Sequence, residues 1–206
     1  MPASLEQLLR HPSIWRGGNT PRHEPGHIPT GWAELDSALP GGGWPRGALT
    51  ELLTDQQGIG ELGLLLPALQ RLTSESLWAV WVAPPLVPYA PALQARGCDL
   101  ARVLIIHPND DAQTLWAAEQ VLKAKATGAV LLWAQQADDR RLRRLQLAAE
   151  SGTSVAILFR PLAYARRSSP AALRLQISAG NELAPEPHIN VLKCRGRLPA
   201  RLLRAR

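Results

Sequence analysis

The run from Ala48 through Leu53 into Thr54-Asp55-Gln56-Gln57-Gly58-Ile59-Gly60-Glu61-Leu62 places a buried-type strand, a glycine loop and an apolar helix in succession. That order can bind a polyphosphate, because loop N–H groups and a helix N-terminus converge on the anion. The working pattern, G-x-x-x-x-G-K-S/T, adds a lysine for the phosphates and a hydroxyl for magnesium. Here Thr54 opens the loop, Gly58 and Gly60 supply its turns, Glu61 takes the lysine's place and Leu62 that of the hydroxyl. A carboxylate repels phosphate and leucine offers magnesium no oxygen. The loop keeps the shape of a phosphate cradle and loses its chemistry. Gly58 and Gly60 still offer backbone donors, so nucleotide binding without hydrolysis stays open.

The elements that must hold this loop follow from apolar periodicity. Helical residues run from Trp32 to Ala38. The helix after the loop is expected over Gly60 to Thr73, apolar nearly all round, with a kink at Pro67 that costs up to about 3 kcal/mol. Strands are expected at Leu77–Ala83, Val103–Ile106, Ala129–Trp133 and Ser154–Phe159. Helices between them start near Tyr89, at Asp110-Asp111 and at Asp138-Asp139, where acids favour the N-terminal dipole. The second of these runs to about Ala126 and is stopped by Gly128. Ala172–Ser178 alternates apolar and polar residues, the pattern of an edge strand, and a turn over Gly180–Pro187 returns the chain into Ile189–Lys193. The fold class is α/β: a mostly parallel sheet flanked by helices, closed by a C-terminal β-hairpin. Three segments are expected: an N-terminal helix and linker over 1–27, a core over 28–193, and a basic tail over 194–206.

The chain has 206 residues, 46% of them hydrophobic and 19% charged, enough for one α/β domain with a full core. No apolar run approaches the roughly 18 residues of a membrane span, and Met1–Arg10 is too polar for a signal peptide, so a cytoplasmic protein is expected. Cys98 and Cys194 lack metal-ligand spacing and read as separate reduced thiols. The net charge of +6 sits in the tail. Lys193, Arg195, Arg197, Arg201, Arg204 and Arg206 have no acid among them, while the remaining basic and acidic residues balance at 17 each. Such a tail suits an anionic partner, nucleic acid or an acidic protein face, or else a solvated end.

Further contact candidates lie in loops. Trp15 and Trp44 are the two tryptophans expected to anchor a partner; Trp32, Trp78, Trp81, Trp116 and Trp133 are expected in the core. Arg166-Arg167-Ser168-Ser169-Pro170 is read as a mobile basic loop. Arg140, Arg141, Arg143 and Arg144 are read as a solvated helix face with i,i+4 acid–base pairs. Ser4 can cap a short amphipathic helix ahead of the linker, and His11, His23 and His27 share no helical face.

Pro29-Thr30-Gly31, Leu35-Asp36-Ser37-Ala38-Leu39, Gly41-Gly42-Gly43, Pro45, Gly47 and Glu51 resemble the opening of the RecA-type recombinase core. With PPLVPYAPALQARGCDLARVLII they are more similar to the ImuA and SulA families, degenerate RecA-like proteins of the bacterial SOS response. The resemblance implies a RecA-like fold of the P-loop NTPase type. It puts Pro84 and Pro85 where the water-activating acid belongs, and Trp133 where the magnesium-binding acid belongs. No ATP hydrolysis, cofactor or metal is then expected, and Arg166-Arg167 falls where related cores carry a DNA-contacting loop. The implied role is a non-enzymatic accessory protein of error-prone translesion synthesis. Its implied partners are a catalytically inert Y-family polymerase relative and an error-prone replicative polymerase, with RecA and single-stranded DNA as further contacts. The alternative is a SulA-like inhibitor that binds a tubulin-like division protein.

Overall fold

The computed structural model describes residues 26–180 and 187–196 and the backbone of 203–204. Two short strands, β1 (His27–Ile28) and β2 (Trp44–Pro45), pair antiparallel around α1 (Ala33–Ala38). Then β3 (Ala48–Leu53), α2 (Leu66–Ser74), β4 (Trp78–Val82), α3 (Ala90–Ala95), β5 (Val103–Ile106) and α4 (Asp111–Lys123) alternate. They are followed by β6 (Thr127–Trp133), α5 (Asp139–Gly152), β7 (Val155–Arg160), β8 (Leu173–Ser178), β9 (His188–Cys194) and β10 (Leu203–Arg204).

The main sheet runs β10-β9-β8-β3-β7-β6-β4-β5. From β8 to β5 every pair is parallel, and β9 and β10 add antiparallel strands. Strands covered on both faces are apolar at most positions, and β3 and β7 are buried from end to end, with Thr50, Glu51 and Arg160 as their polar exceptions. One face packs Leu52, Trp81, Leu131 and Ile157 under α1 and α2; the other packs Leu49, Val80, Val130 and Leu158 under α4 and α5.

Four expectations need correction. The helix after the loop begins at Leu66, because Glu61–Leu65 forms turns in which the Leu65 N–H donates to the Leu62 carbonyl at 2.9 Å. Pro67 therefore sits in the first turn, where its missing N–H leaves no bond unmade, and it kinks nothing. Gly128 does not stop α4, which ends at Lys123; it lies inside β6, where a side chain would strike Leu77 Cβ at 2.8 Å. Ala172–Ser178 is no edge: β8 lies between β3 and β9, and its alternating Arg174 is buried. Within the tail, Leu203 and Arg204 pair with β9, so this part adds a strand and is not a loose end.

Candidate functional site

The loop after β3 stands at the carboxyl ends of the parallel strands, where ligand sites form in open α/β sheets. It borders a cleft of about 390 Å³ lined by Asp55, Glu61, Asp111, Trp133, Phe159 and Arg160 among others. Gly58 (φ +73°) and Gly60 (φ +94°) have the left-handed backbone that turns the loop back on itself. The N–H groups of Gly58 and Ile59 point inward and donate to the two carboxylate oxygens of Glu61, at 3.1 and 2.9 Å. Glu61 is buried. The residue that repels phosphate thus also fills the donors a phosphate would use, and the Gly58 donor is not open to a nucleotide. Thr54 Oγ1 accepts from Gln56 N–H at 3.1 Å and closes the loop's other side.

Besides Glu61, the acids lining the cleft include Asp55, which accepts from the Leu162 N–H at 2.9 Å, and Asp111. Trp133 stacks on Phe159, with ring centroids 4.5 Å apart and planes 4° apart, and makes an aromatic wall. Pro84 is buried and Pro85 exposed at the end of β4. Among the described residues no group of His, Cys, Asp or Glu is arranged to hold a metal ion. Burial pushes the Cys98 thiol above its usual range.

Beyond the cleft, Glu51 lies fully buried in the middle of β3. Arg160 Nη1 reaches one carboxylate oxygen at 3.2 Å, and Arg174 Nε the other at 2.6 Å. Ser169 Oγ donates to the same group at 2.8 Å. Arg174 spends its remaining donors on the carbonyls of Tyr164, Ala165 and Arg167, and the Arg160 guanidinium stacks 3.8 Å from the Tyr164 ring centre. A buried charge network therefore holds the segment that displays Arg166 and Arg167, both exposed. This segment is fixed from beneath at many points. Lys193, from β9, donates to the Ser169 carbonyl at 2.7 Å. Burial, followed by the nearby Arg174 and Arg195, lowers its amine below the usual lysine range. Lys193 is thus largely a support for the basic segment, with exposed Arg195 beside it.

Other contact candidates separate. Trp44 is fully buried in β2 and packs with the core, so it anchors no partner. Its loop folds onto β1, and the indole has no route to the surface. Trp116, expected in the core, is 62% exposed on α4. A signal was present: Leu115, Ala118 and Leu122 form the helix's buried stripe, and Trp116 falls about 100° off it. Sequence reasoning also missed the role of Glu51, whose arginines lie 109 and 123 positions away. The arginines of α5 are all exposed, but the ion pair formed is between helices, Arg144 to Glu119 at 2.6 Å, not i,i+4. Trp15, Arg197, Arg201 and Arg206 lie outside the described residues, as does the Arg204 side chain. No helix among the described residues is long and apolar enough to cross a membrane.

The family model for the cell division inhibitor SulA matches residues 47–156. Protein ImuA from Caulobacter vibrioides is 33% identical over 138 residues, 64% of this chain and 57% of its own length. The cell division inhibitor SulA from Yersinia enterocolitica is 28% identical over 116 residues, 56% of this chain and 69% of its own. The crystal structure of SulA from Pseudomonas aeruginosa aligns with a TM-score of 0.45 at 23% identity, covering 54% of this chain and 97% of that one. The chain spans 57% of the length of the ImuA it matches. With the family match taking in β3, the self-filled loop and the chain up to the first two residues of β7, the chain belongs to the SulA family, with ImuA among its relatives.

Proposed function

We propose that the chain is a non-enzymatic accessory protein of SOS-induced, error-prone translesion DNA synthesis, built on a RecA-like core whose nucleotide site has become a docking surface. This reading rests on the Glu61 carboxylate lodged in the loop donors. It leaves no positive seat for a triphosphate, and Trp133 with Pro84 and Pro85 stand where metal and base chemistry would need acids. The cleft so vacated, with its aromatic wall, is available to a protein. The likeness to ImuA supports a role in the SOS response, and a catalytically inert Y-family polymerase relative is the proposed partner, with an error-prone replicative polymerase completing the assembly. The exposed Arg166, Arg167 and Arg195 would add contact to DNA or RecA that weakens with salt.

A second reading is favoured by the family model and by relatives that carry the name cell division inhibitor SulA: the chain caps a tubulin-like division protein. A paired pull-down separates the two. The purified chain is offered the polymerase relative and the division protein from the same cell, and capture of the polymerase relative alone is expected. Capture of the division protein alone establishes the second reading, and capture of neither overturns both. A titration with ATP tests the loop: no binding is expected, and micromolar binding would defeat the docking argument.

A further inference from the structure

The helical layer over the Val80–Leu158 face carries a site distinct from the strand-end cleft. α4 and α5 lie side by side there, with Leu115, Ala118 and Leu122 of one against Leu142, Leu145 and Ala149 of the other. They close tightly at their C-terminal ends, where a side chain on Gly152 would collide with the Leu122 carbonyl and Ser154 Oγ donates to that carbonyl at 3.3 Å. Toward their N-terminal halves they part. The gap is a pocket of about 200 Å³ lined by Leu115, Trp116, Glu119, Arg141, Arg144 and Leu145 among others.

Three features of this pocket need a ligand to make sense together. An indole left 62% exposed forfeits apolar burial that such a large ring would ordinarily gain. Arg140, Arg141, Arg143 and Arg144 are all exposed on α5, and among the described residues only Arg144 has an acid partner. That partner, Glu119, is already bonded by Lys123 at 2.7 Å as well, and the two cations hold its carboxyl below the usual range. The groove is therefore net positive around an apolar floor. A phosphate backbone would leave the apolar floor of Leu115 and Leu145 uncovered. An acidic peptide carrying one large apolar side chain satisfies both parts. The side chain fills the space against Trp116 and Leu145, and its carboxylates meet Arg141 and its neighbours.

We infer that the α4–α5 groove is a docking site for an acidic, apolar-anchored segment of a partner protein, with Trp116 as its central contact and Arg141 setting its charge preference. The inference is independent of the translesion reading and holds for either kind of partner named above.

The test is to pan a random peptide display library on the intact chain after depletion on its Trp116→Ala variant. Enriched sequences should be acidic with an aliphatic or aromatic residue. Fluorescence anisotropy of the consensus peptide should show affinity falling about tenfold or more in Trp116→Ala and in Arg141→Glu. Both side chains are exposed, so the variants should keep the parent melting temperature, which is measured alongside. An oligo(dT) strand is titrated in parallel. No enrichment over the depleted pool, enrichment of basic sequences, or an oligo(dT) affinity that the same two substitutions abolish would each overturn the inference.

Discussion

Glu51 and Glu61 belong to one strand-and-loop unit, and each keeps a carboxylate out of water by different means. Glu51 is held by side chains that arrive from β7, from β8 and from the segment between them. Glu61 is held by backbone N–H groups two and three residues before it. The first arrangement costs desolvation of three charges, and it exists only once the sheet is assembled. The second needs one turn of loop. The contrast assigns them separate work: Glu51 fastens the basic segment to the sheet, and Glu61 decides what the loop can bind.

The sharpest way to break this contrast is Glu51→Ala, which strands Arg160 and Arg174 in the interior. The expected loss is about 3–5 kcal/mol, read from urea denaturation, with the 161–171 segment becoming sensitive to protease. A loss below about 1 kcal/mol would mean that water reaches the arginines and that no fastening exists. Glu61→Ala should cost less, about 1–2 kcal/mol, because its donors lie in an exposed loop that water can enter. Its diagnostic effect is gained binding: sulfate should raise the melting temperature of Glu61→Ala and leave the parent unchanged.

Glu119 offers an intermediate case, a carboxylate shared by two exposed cations. Lys123, by its hydrogen bond, and Arg144 depress its pKa below 4.5 in the folded chain. A depressed acid contributes stability that is complete above the unfolded value and is lost as pH falls through the folded one. Arg144→Met should therefore lower stability at neutral pH, leave it nearly unchanged in acid, and so flatten the acid limb of a stability–pH curve. Lys193 gives the smallest effect, with a slope of the same sign displaced to alkaline pH. Its folded pKa lies below 10.5, so the unfolded chain binds more protons and stability rises as pH climbs through that interval. Its amine should acylate at lower pH in the folded chain than after unfolding in urea, measured by mass spectrometry after brief labelling.

Much of the architecture was legible in the chain, and the reasons are local. Strands buried on both faces read as nearly continuous apolar runs, so Ala129–Trp133 and Ser154–Phe159 announce themselves. Asp110 and Asp138 cap α4 and α5 by accepting from Gln113 and Arg141 N–H, each at 2.7 Å, as their placement before apolar helices suggests. What failed was long-range. The alternation of Leu173, Arg174 and Leu175 reads as one wet face until a carboxylate from a distant strand is known to lie under Arg174. Gly128 reads as punctuation until Leu77 is known to press on it. Of the site, the loss of the lysine was evident from Glu61 itself. That the same residue fills the loop was not, since chain order does not tell which way a turn closes.

The position of β3 has a consequence for synthesis. It lies between β7 and β8 in the finished sheet, yet precedes both in the chain, and Glu51 finds its arginines 109 and 123 residues later. At about 5–20 residues per second, that delay is on the order of ten seconds on the ribosome. Throughout it, an apolar strand bearing an unmatched carboxylate must avoid other partners, in a topology whose non-local pairing is slow in any case. A nascent chain halted within α5 would hold β3 and the β6-β4-β5 block with the β7 place between them empty. The two halves of this sheet can join only when β7 arrives.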